Sequence, residues 1–424
     1  MRPLPVAQTG TPAPYEDVLP AYCSALIGWL AAAIVLVAAA PELVAGAVTS
    51  KQPVLAAHLV GLVLFPFAVA AAVWQLLPVM LRNDLANPAH RRLVLAALGA
   101  GGPLTAAAVA LEEAALAVAG AALLACGLAL LLVDLVSLIR NVPRGRMLVV
   151  NRLAVALAGV NAALAFVLGA VAAADEGPAP LGIGYERFLL LHLSLALVGW
   201  LTVLIAAVGR TLVPMLGLAP ASPVRRVPVA ELLVAGGLWV YAAGLAAASN
   251  MLVATGIVIM LAGFAPVAHL FSRVALRGRL GLREGPVAHV AVGLVFLVQA
   301  ALLGLAGAGE VVDARRAAVA AVLLLGVGWA AGVILGHLGK LVSLSGWGSW
   351  PPGPRPKQAE LYPRRAWQLE VVLFAVGVEL AAGGILLETE TVAQVGGAIL
   401  ALAAVAGVAG AAITVGRVAT RRRA

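Results

Sequence analysis

Charge is what this chain has least of. Of its 424 residues, 11% are Asp, Glu, Lys or Arg, while 63% are hydrophobic and the mean hydropathy is +1.05. Soluble domains average about 25% charged and 45–50% apolar residues, so a water-soluble globular chain is excluded. Cysteine is nearly absent too. Cys23 and Cys126 lie in separate apolar runs with no CxxC pair, which excludes a disulfide framework or a thiolate cluster; both read as buried small hydrophobes. The sequence has no P-loop, no HExxH and no nucleophile elbow. It also has no loop long enough for a soluble domain. The longest, "WGSWPPGPRPKQAELYPRR" at 347–365, is rich in Pro and Gly and reads as extended. The first twenty residues have no apolar core and so do not form a signal peptide.

What remains is long apolar runs. Backbone in lipid must satisfy its own hydrogen bonds, so runs of this length are helices; barrel strands run about 10 residues and alternate. Twelve spans are expected, at roughly 21–40, 53–81, 93–111, 114–139, 149–173, 187–216, 228–247, 251–272, 286–307, 317–346, 366–387 and 391–416. They form one all-α integral membrane domain over 21–416, between a disordered tail (1–20) and a short basic tail (417–424). With this count, 24 of the 28 Lys and Arg fall on the side that carries both termini. The other side holds Lys51, Arg187, Arg315 and Arg316, together with acids such as Glu42, Glu112, Glu113, Glu310 and Glu388. By the positive-inside rule both termini are cytoplasmic in a multi-pass inner-membrane protein. The same asymmetry accounts for the net charge of +9 without a nucleic-acid partner.

An internal repeat is visible. The second span contains "HLVGLVLFPFAVAAAVWQLLPVML" (58–81), and the sixth contains "HLSLALVGWLTVLIAAVGRTLVPML" (192–216). Each opens on His and ends on a Leu-x-Pro element, "QLLPVM" or "TLVPML". In the tenth span Gly328-Trp329 precedes "KLVSLS", with Trp329 as far before Ser343 as Trp200 is before Pro214. The anchors Pro78, Pro214 and Ser343 are separated by 136 and 129 residues. That spacing makes three pseudo-repeated four-helix units. Chance recurrence of Leu, Val, Gly and Pro in lipid-adapted sequence is the alternative.

A twelve-helix, threefold-repeated membrane protein with histidines on helices 2 and 6 resembles subunit I of the haem–copper oxidase and nitric oxide reductase superfamily. It looks closer to small, single-subunit relatives than to the respiratory enzymes. The resemblance covers nearly the whole chain as topology and three helices at residue level. It implies a low-spin haem, of b type, on His58, and a metal or haem-pocket role for His192, with copper as the metal of that second site. It also implies a redox partner or respiratory subunits alongside the lipid bilayer. The chain departs from the family in three places. Leu193 and Ala196 stand where the family has Pro and Tyr, and span 228–247 has no histidine. The tenth span's histidine, His337, lies about 20 residues, or about 30 Å, in from Arg316 rather than at the outer end. The oxygen-reducing centre is therefore absent as the family builds it, and oxygen reduction is not expected.

Ionisable groups inside a bilayer are costly and are functional candidates by default. Imidazole is a good neutral ligand for haem iron and copper. His58, His192 and His337 are the candidate cofactor-binding residues, the first two also as metal ligands; an interhelical hydrogen bond is the alternative role for each. Gly336 and Gly339 beside His337 leave room for a flat macrocycle or for a neighbouring helix. Glu379, the deepest acid, is a candidate proton site. Asp134 and Glu231 are expected to snorkel or to pair with Arg140, Arg225 or Arg226, and Arg210 and Lys340 to snorkel or to meet propionates. His90, His269 and His289 read as boundary residues, and Trp74, Trp200 and Trp329 as helix packing. The expected function is haem or metal binding with electron transfer, or redox or nitric-oxide sensing. The alternatives are a proton-coupled secondary transporter, which predicts two related halves, and a haem-free assembly partner of a respiratory complex.

The charge asymmetry makes a checkable statement about sidedness. In a variant with Cys23 and Cys126 replaced by Ser, Glu388→Cys should react with an impermeant maleimide in intact cells and Ala424→Cys should not. The reverse labelling would overturn the orientation.

Overall fold

The computed structural model describes residues 11–81, 88–140, 152–174, 182–219, 227–350 and 353–423, and among these it is helical without strands. The long helices are α1 (Tyr15–Val44), α2 (51–81), α3 (Pro88–Leu111), α4 (Ala114–Arg140), α5 (Arg152–Ala174), α6 (Tyr185–Gly217), α7 (Val227–Ala246), α8 (Asn250–Arg277), α9 (Gly285–Ala308), α10 (Ala314–Gly348), α11 (Arg364–Leu386) and α12 (Glu390–Arg423). Eleven of them, all but α3, are long and apolar enough to cross a membrane. Ile27, Ile34, Val118, Val258 and Leu402 are exposed on their flanks, as expected for side chains that face lipid. The protein is thus a polytopic, all-helical membrane protein.

Both ends of the chain are more ordered than the sequence suggests. α1 begins at Tyr15, inside the stretch read as a tail; residues 1–10 lie outside the described residues. α12 continues to Arg423 through the basic tail. Arg417 and Arg421, one turn apart, reach a short helical turn at Gln358–Leu361, where Arg417 donates to the Glu360 carbonyl and Arg421 pairs with the Glu360 carboxylate. That anchor keeps the last turns of α12 wound. Arg421 also holds the exposed Glu360 carboxyl below the usual carboxylate range. Cys23 and Cys126 are exposed rather than buried, because each falls on the outward face of its helix, a phase that composition does not reveal.

The tightest helix pairs are the hairpins α3–α4, α7–α8 and α11–α12. All three are closed in the same way. Glu112, Ala248 and Glu388 sit at the turns with φ of 59°, 54° and 54°. The next residue's N–H then bonds back to a carbonyl five residues earlier: Glu113 to Ala108 (2.9 Å), Ser249 to Gly244 (2.9 Å) and Thr389 to Gly384 (2.8 Å). This is the Schellman way of satisfying the last carbonyls of a helix. Below each turn, a glycine faces a glycine nineteen residues later: Gly101 and Gly120, Gly237 and Gly256, Gly377 and Gly396. A methyl group on the first of each pair would lie 2.8–2.9 Å from the carbonyl oxygen of the second. Without a Cβ the two backbones touch, and dispersion between them replaces the hydrophobic drive that lipid removes.

α2, α6 and α10 meet at the centre. Each contains a π-helical stretch, Leu59–Leu64, Leu195–Thr202 and Leu324–Ala331. The third stretch packs against the other two. Their first residues are 136 and 129 apart, the same spacing as Pro78, Pro214 and Ser343. The wider turn leaves carbonyls without their usual partner. In α6 the Thr202 hydroxyl takes up the Leu197 carbonyl (2.8 Å) and accepts the indole N–H of Trp329 from α10 (3.0 Å). Ser345 of α10 donates to Gln75 of α2 (2.8 Å). Trp74 and Trp329 are fully buried packing residues, in keeping with the sequence reading, and Trp74 donates to Asp134 (2.9 Å).

Ion pairs follow the charge partition. Lys51–Glu112, Arg315–Glu186 and Arg316–Glu388 join residues from the sparsely basic side. Arg91–Asp17, Arg210–Glu231, Lys340–Glu284 and Arg421–Glu360 join residues from the basic side. Arg210 and Lys340 are therefore paired rather than snorkelling. Glu231 takes Arg210, while Arg225 and Arg226 lie outside the described residues. Asp134 takes Trp74 and His90 instead of Arg140, because it points inward from α4.

The hairpin geometry gives two opposite stability effects. A left-handed conformation costs Ala roughly 1–2 kcal/mol, and glycine's extra unfolded-state freedom returns about 0.4–1 kcal/mol of that. Ala248→Gly should therefore raise stability by about 0.5–1 kcal/mol. Gly256→Val forces a branched side chain against the Tyr241 backbone and should cost about 1–3 kcal/mol or more. Thermal unfolding in mild detergent reads both.

Candidate functional site

A cavity of about 910 Å³ opens among α1, α2, α3, α4, α5, α6 and α10, toward the sparsely basic end. Its walls are mainly Leu, Val and Ala, with Trp200 and Thr105 among them. Glu186, Arg187, Asp313 and Arg315 lie at one end, where Arg315 pairs with Glu186 at 3.3 Å. Trp200 is thus a cavity residue as well as a packing one. Ligand pockets run about 300–1,000 Å³ and are mostly apolar with a few placed polar groups, and this cavity lies near the upper end of that range.

His58 and His192 are two of those polar groups. His58 closes the regular first segment of α2, immediately before the π stretch. His192 lies three residues before the π stretch of α6. The Nδ1 of His58 donates to the Val54 carbonyl at 2.7 Å, one turn back on its own helix. The Nδ1 of His192 donates to the Ala165 carbonyl of α5 at 2.8 Å. A carbonyl only accepts, so Nδ1 carries the hydrogen in both rings and Nε2 keeps its lone pair in the neutral imidazole. Tying the second nitrogen to a carbonyl is how proteins orient a metal-ligating histidine. Gly169 of α5 completes the seat of His192: a Cβ there would lie 3.0 Å from the ring's Cε1. Gly61, one turn beyond His58, faces open cavity, with nothing within 4 Å of a Cβ added to it.

The sequence-derived site therefore divides. His58 and His192 share one cavity, whereas the family template places them at two centres. His337 is not part of it. It is buried on α10, ten residues past the last cavity-lining residue, Val327. At 1.5 Å per residue that is about 15 Å further along the helix. Its Nδ1 donates to the Val333 carbonyl (2.6 Å), and its Nε2 has no partner. Glu379 lies on the exposed flank of α11 and accepts from Gln299 of α9 at 2.8 Å. Among the described residues no group of three or more His, Cys, Asp or Glu is placed to hold a metal ion.

The structure also gathers residues that sequence reasoning passed over. His289 is buried and paired with Glu370, and Glu284 is fully buried between Lys340 and Arg364. In sequence all three look like ordinary helix-end residues. The weak signal was Gly336 next to His337: the space it leaves is filled by the ring of His289. Compared with known families and with curated proteins, the chain matches no family model and no curated sequence.

Because His58 and His192 line the cavity and only their Nδ1 atoms are engaged by a carbonyl, a small imidazole-acylating reagent should modify these two residues in the folded protein. His289 and His337, which are buried, should stay unmodified. Peptide mass spectrometry reads this, and equal modification of all four would contradict the arrangement.

Proposed function

We propose that this chain is a twelve-helix, threefold-repeated inner-membrane protein that binds haem b in the cavity shared by His58 and His192. Its role is electron transfer, or redox or nitric-oxide sensing, and not oxygen reduction. One observation carries the reading. Two imidazoles from α2 and α6 line one large apolar cavity, each held by a backbone carbonyl on its Nδ1. The residues present fit such a group. Apolar walls suit a macrocycle, and Arg187 at the cavity's end, beside the Arg315–Glu186 pair, suits its carboxylates. A bound haem supplies an iron that changes charge by one electron. The protein's own part is to fix both rings, to keep bulk water from the apolar walls and to balance the carboxylates. Copper has less support, since among the described residues no group of three or more His, Cys, Asp or Glu is placed to hold a metal ion.

The threefold reading is supported by three matched features: the π stretches of α2, α6 and α10, the positive-φ turns, and the glycine pairs nineteen residues apart. On this reading α3 is a crossing helix, the partner of α4 as α7 is of α8. The ion pairs, each within one end, support a bundle whose basic end faces the cytoplasm.

The test is the visible spectrum of the purified protein, oxidised and dithionite-reduced, after expression with ample haem supply. The expected result is a Soret band, sharp reduced α-bands and near-stoichiometric haem. His58→Ala and His192→Ala should each abolish or shift that spectrum. Gly61→Phe, whose Cβ has open space around it, should fill part of the cavity and lower haem content while the protein stays folded. A colourless, folded protein would sink the reading.

A further inference from the structure

A second polar region lies on the basic side of the cavity, enclosed by α9, α10 and α11, and the haem reading does not use it. At its centre the Nε2 of His289 meets the Glu370 carboxylate; both side chains are 1% exposed. A buried carboxylate set against an imidazole is expensive to assemble and contributes little net stability, so its presence calls for another reason. The ring of His289 lies against Gly336, next to His337. The Nδ1 of His289 and the Nε2 of His337 are both buried, and neither has a hydrogen-bond partner.

The proton count is informative. The Nδ1 of His337 spends its hydrogen on the Val333 carbonyl, so its Nε2 is a bare lone pair. When Nε2–H of His289 donates to Glu370, its Nδ1 is a second bare lone pair. The region then holds one carboxylate and two imidazole lone pairs, neither of which receives a hydrogen bond, and the buried indole N–H of Trp367 is unpartnered beside them. A buried acceptor left unsatisfied costs about 1–3 kcal/mol, and an added proton converts one of them into a donor.

A line of charged and aromatic groups leads from the surface toward the pair. Arg364, half-exposed, pairs with Glu284 at 3.3 Å, and Glu284 pairs with Lys340 at 2.5 Å. The Lys340 ammonium lies over the Tyr362 ring at 4.6 Å, and Tyr362 stacks on Trp367. Burial, with the charges of Glu284 and Glu370 beside it, pushes the Tyr362 phenol up, so it stays protonated and able to donate. The facing groups can be named element by element. α9 brings Glu284 and His289, α10 brings His337 and Lys340, and α11 brings Arg364, Trp367 and Glu370. α12 meets Glu370 and Trp367 with Gly407 and Gly410, and α1 meets Phe374 with Trp29.

We infer that His289, Glu370 and His337 form a buried proton-binding site, loaded from the basic end of the bundle past Arg364, Glu284, Lys340 and Tyr362. One proton enters as a hydronium equivalent and is held on an imidazole nitrogen or on the Glu370 carboxylate. No other bond forms or breaks.

The experiment is infrared difference spectroscopy of the full chain in lipid nanodiscs, titrated reversibly between about pH 4 and 9, a span that brackets the ordinary carboxyl and imidazole ranges. The expected result is a reversible imidazole or carboxyl signal equivalent to one group per chain. It should be lost in Glu370→Gln and unchanged in Glu390→Gln, a substitution at the exposed start of α12. His337→Gln leaves the ion pair intact and should move the titration midpoint. It keeps the test decisive if Glu370→Gln does not fold. A folded wild-type protein with no reversible signal in this range, or a signal that both Glu370→Gln and His337→Gln leave unmoved, overturns the inference. Haem plays no part in the readout, so a colourless protein leaves this test intact.

Discussion

Backbone touches backbone at the three glycine pairs, and the rest of the bundle depends on that contact. Between helices in lipid there is no water to expel, so close packing has to supply the attraction. Gly101 against Gly120, Gly237 against Gly256 and Gly377 against Gly396 bring the helices of each hairpin together without an intervening side chain. The turns above them end in left-handed residues that return the last carbonyls to N–H groups. With the outer hairpins closed in this way, α2, α6 and α10 are left to fill the middle. Their π stretches widen them where they meet, and Thr202 and Trp329 satisfy backbone and indole groups that such a turn leaves open.

The same packing separates two kinds of polar chemistry. Toward the sparsely basic end, α2 and α6 stand far enough from α10 to leave a large apolar cavity, with two imidazoles as its ligating groups. Toward the basic end, α9, α10 and α11 close completely, and Gly336 and Gly339 let His289 and Trp367 come directly against α10. The first region has the features of a ligand site: space, apolar walls and free lone pairs. The second has no such space, yet it encloses charges that only neighbouring charges and protons can stabilise. α10 takes part in both, which makes it the structural link between them.

Much of the architecture was legible in the chain. Apolar runs located the helix cores, although α1 starts six residues earlier and α12 ends seven residues later than they indicate, and the sorting of Lys and Arg by side anticipated which charges pair. The anchors at Pro78, Pro214 and Ser343 carried the same spacing as the π stretches. The site was legible in part. His58 and His192 stood out because an imidazole in an apolar run is costly and therefore conspicuous. His289, Glu284 and Glu370 did not, because near a helix end a charged residue is ordinary, and its burial depends on which other helix covers it. The family resemblance assigned His58 and His192 to separate centres, whereas their helices bring them to one cavity.

The sequence by itself determined that this protein lives in a membrane, that it is helical and where its charges divide, because each of these follows from local composition and the solvent it selects. Tertiary structure alone decided which histidines meet. Whether two side chains share a cavity or one of them is sealed against a carboxylate depends on helix rotation and on interhelical distance. Those are set by glycines and π turns on neighbouring segments, many tens of residues away in the chain.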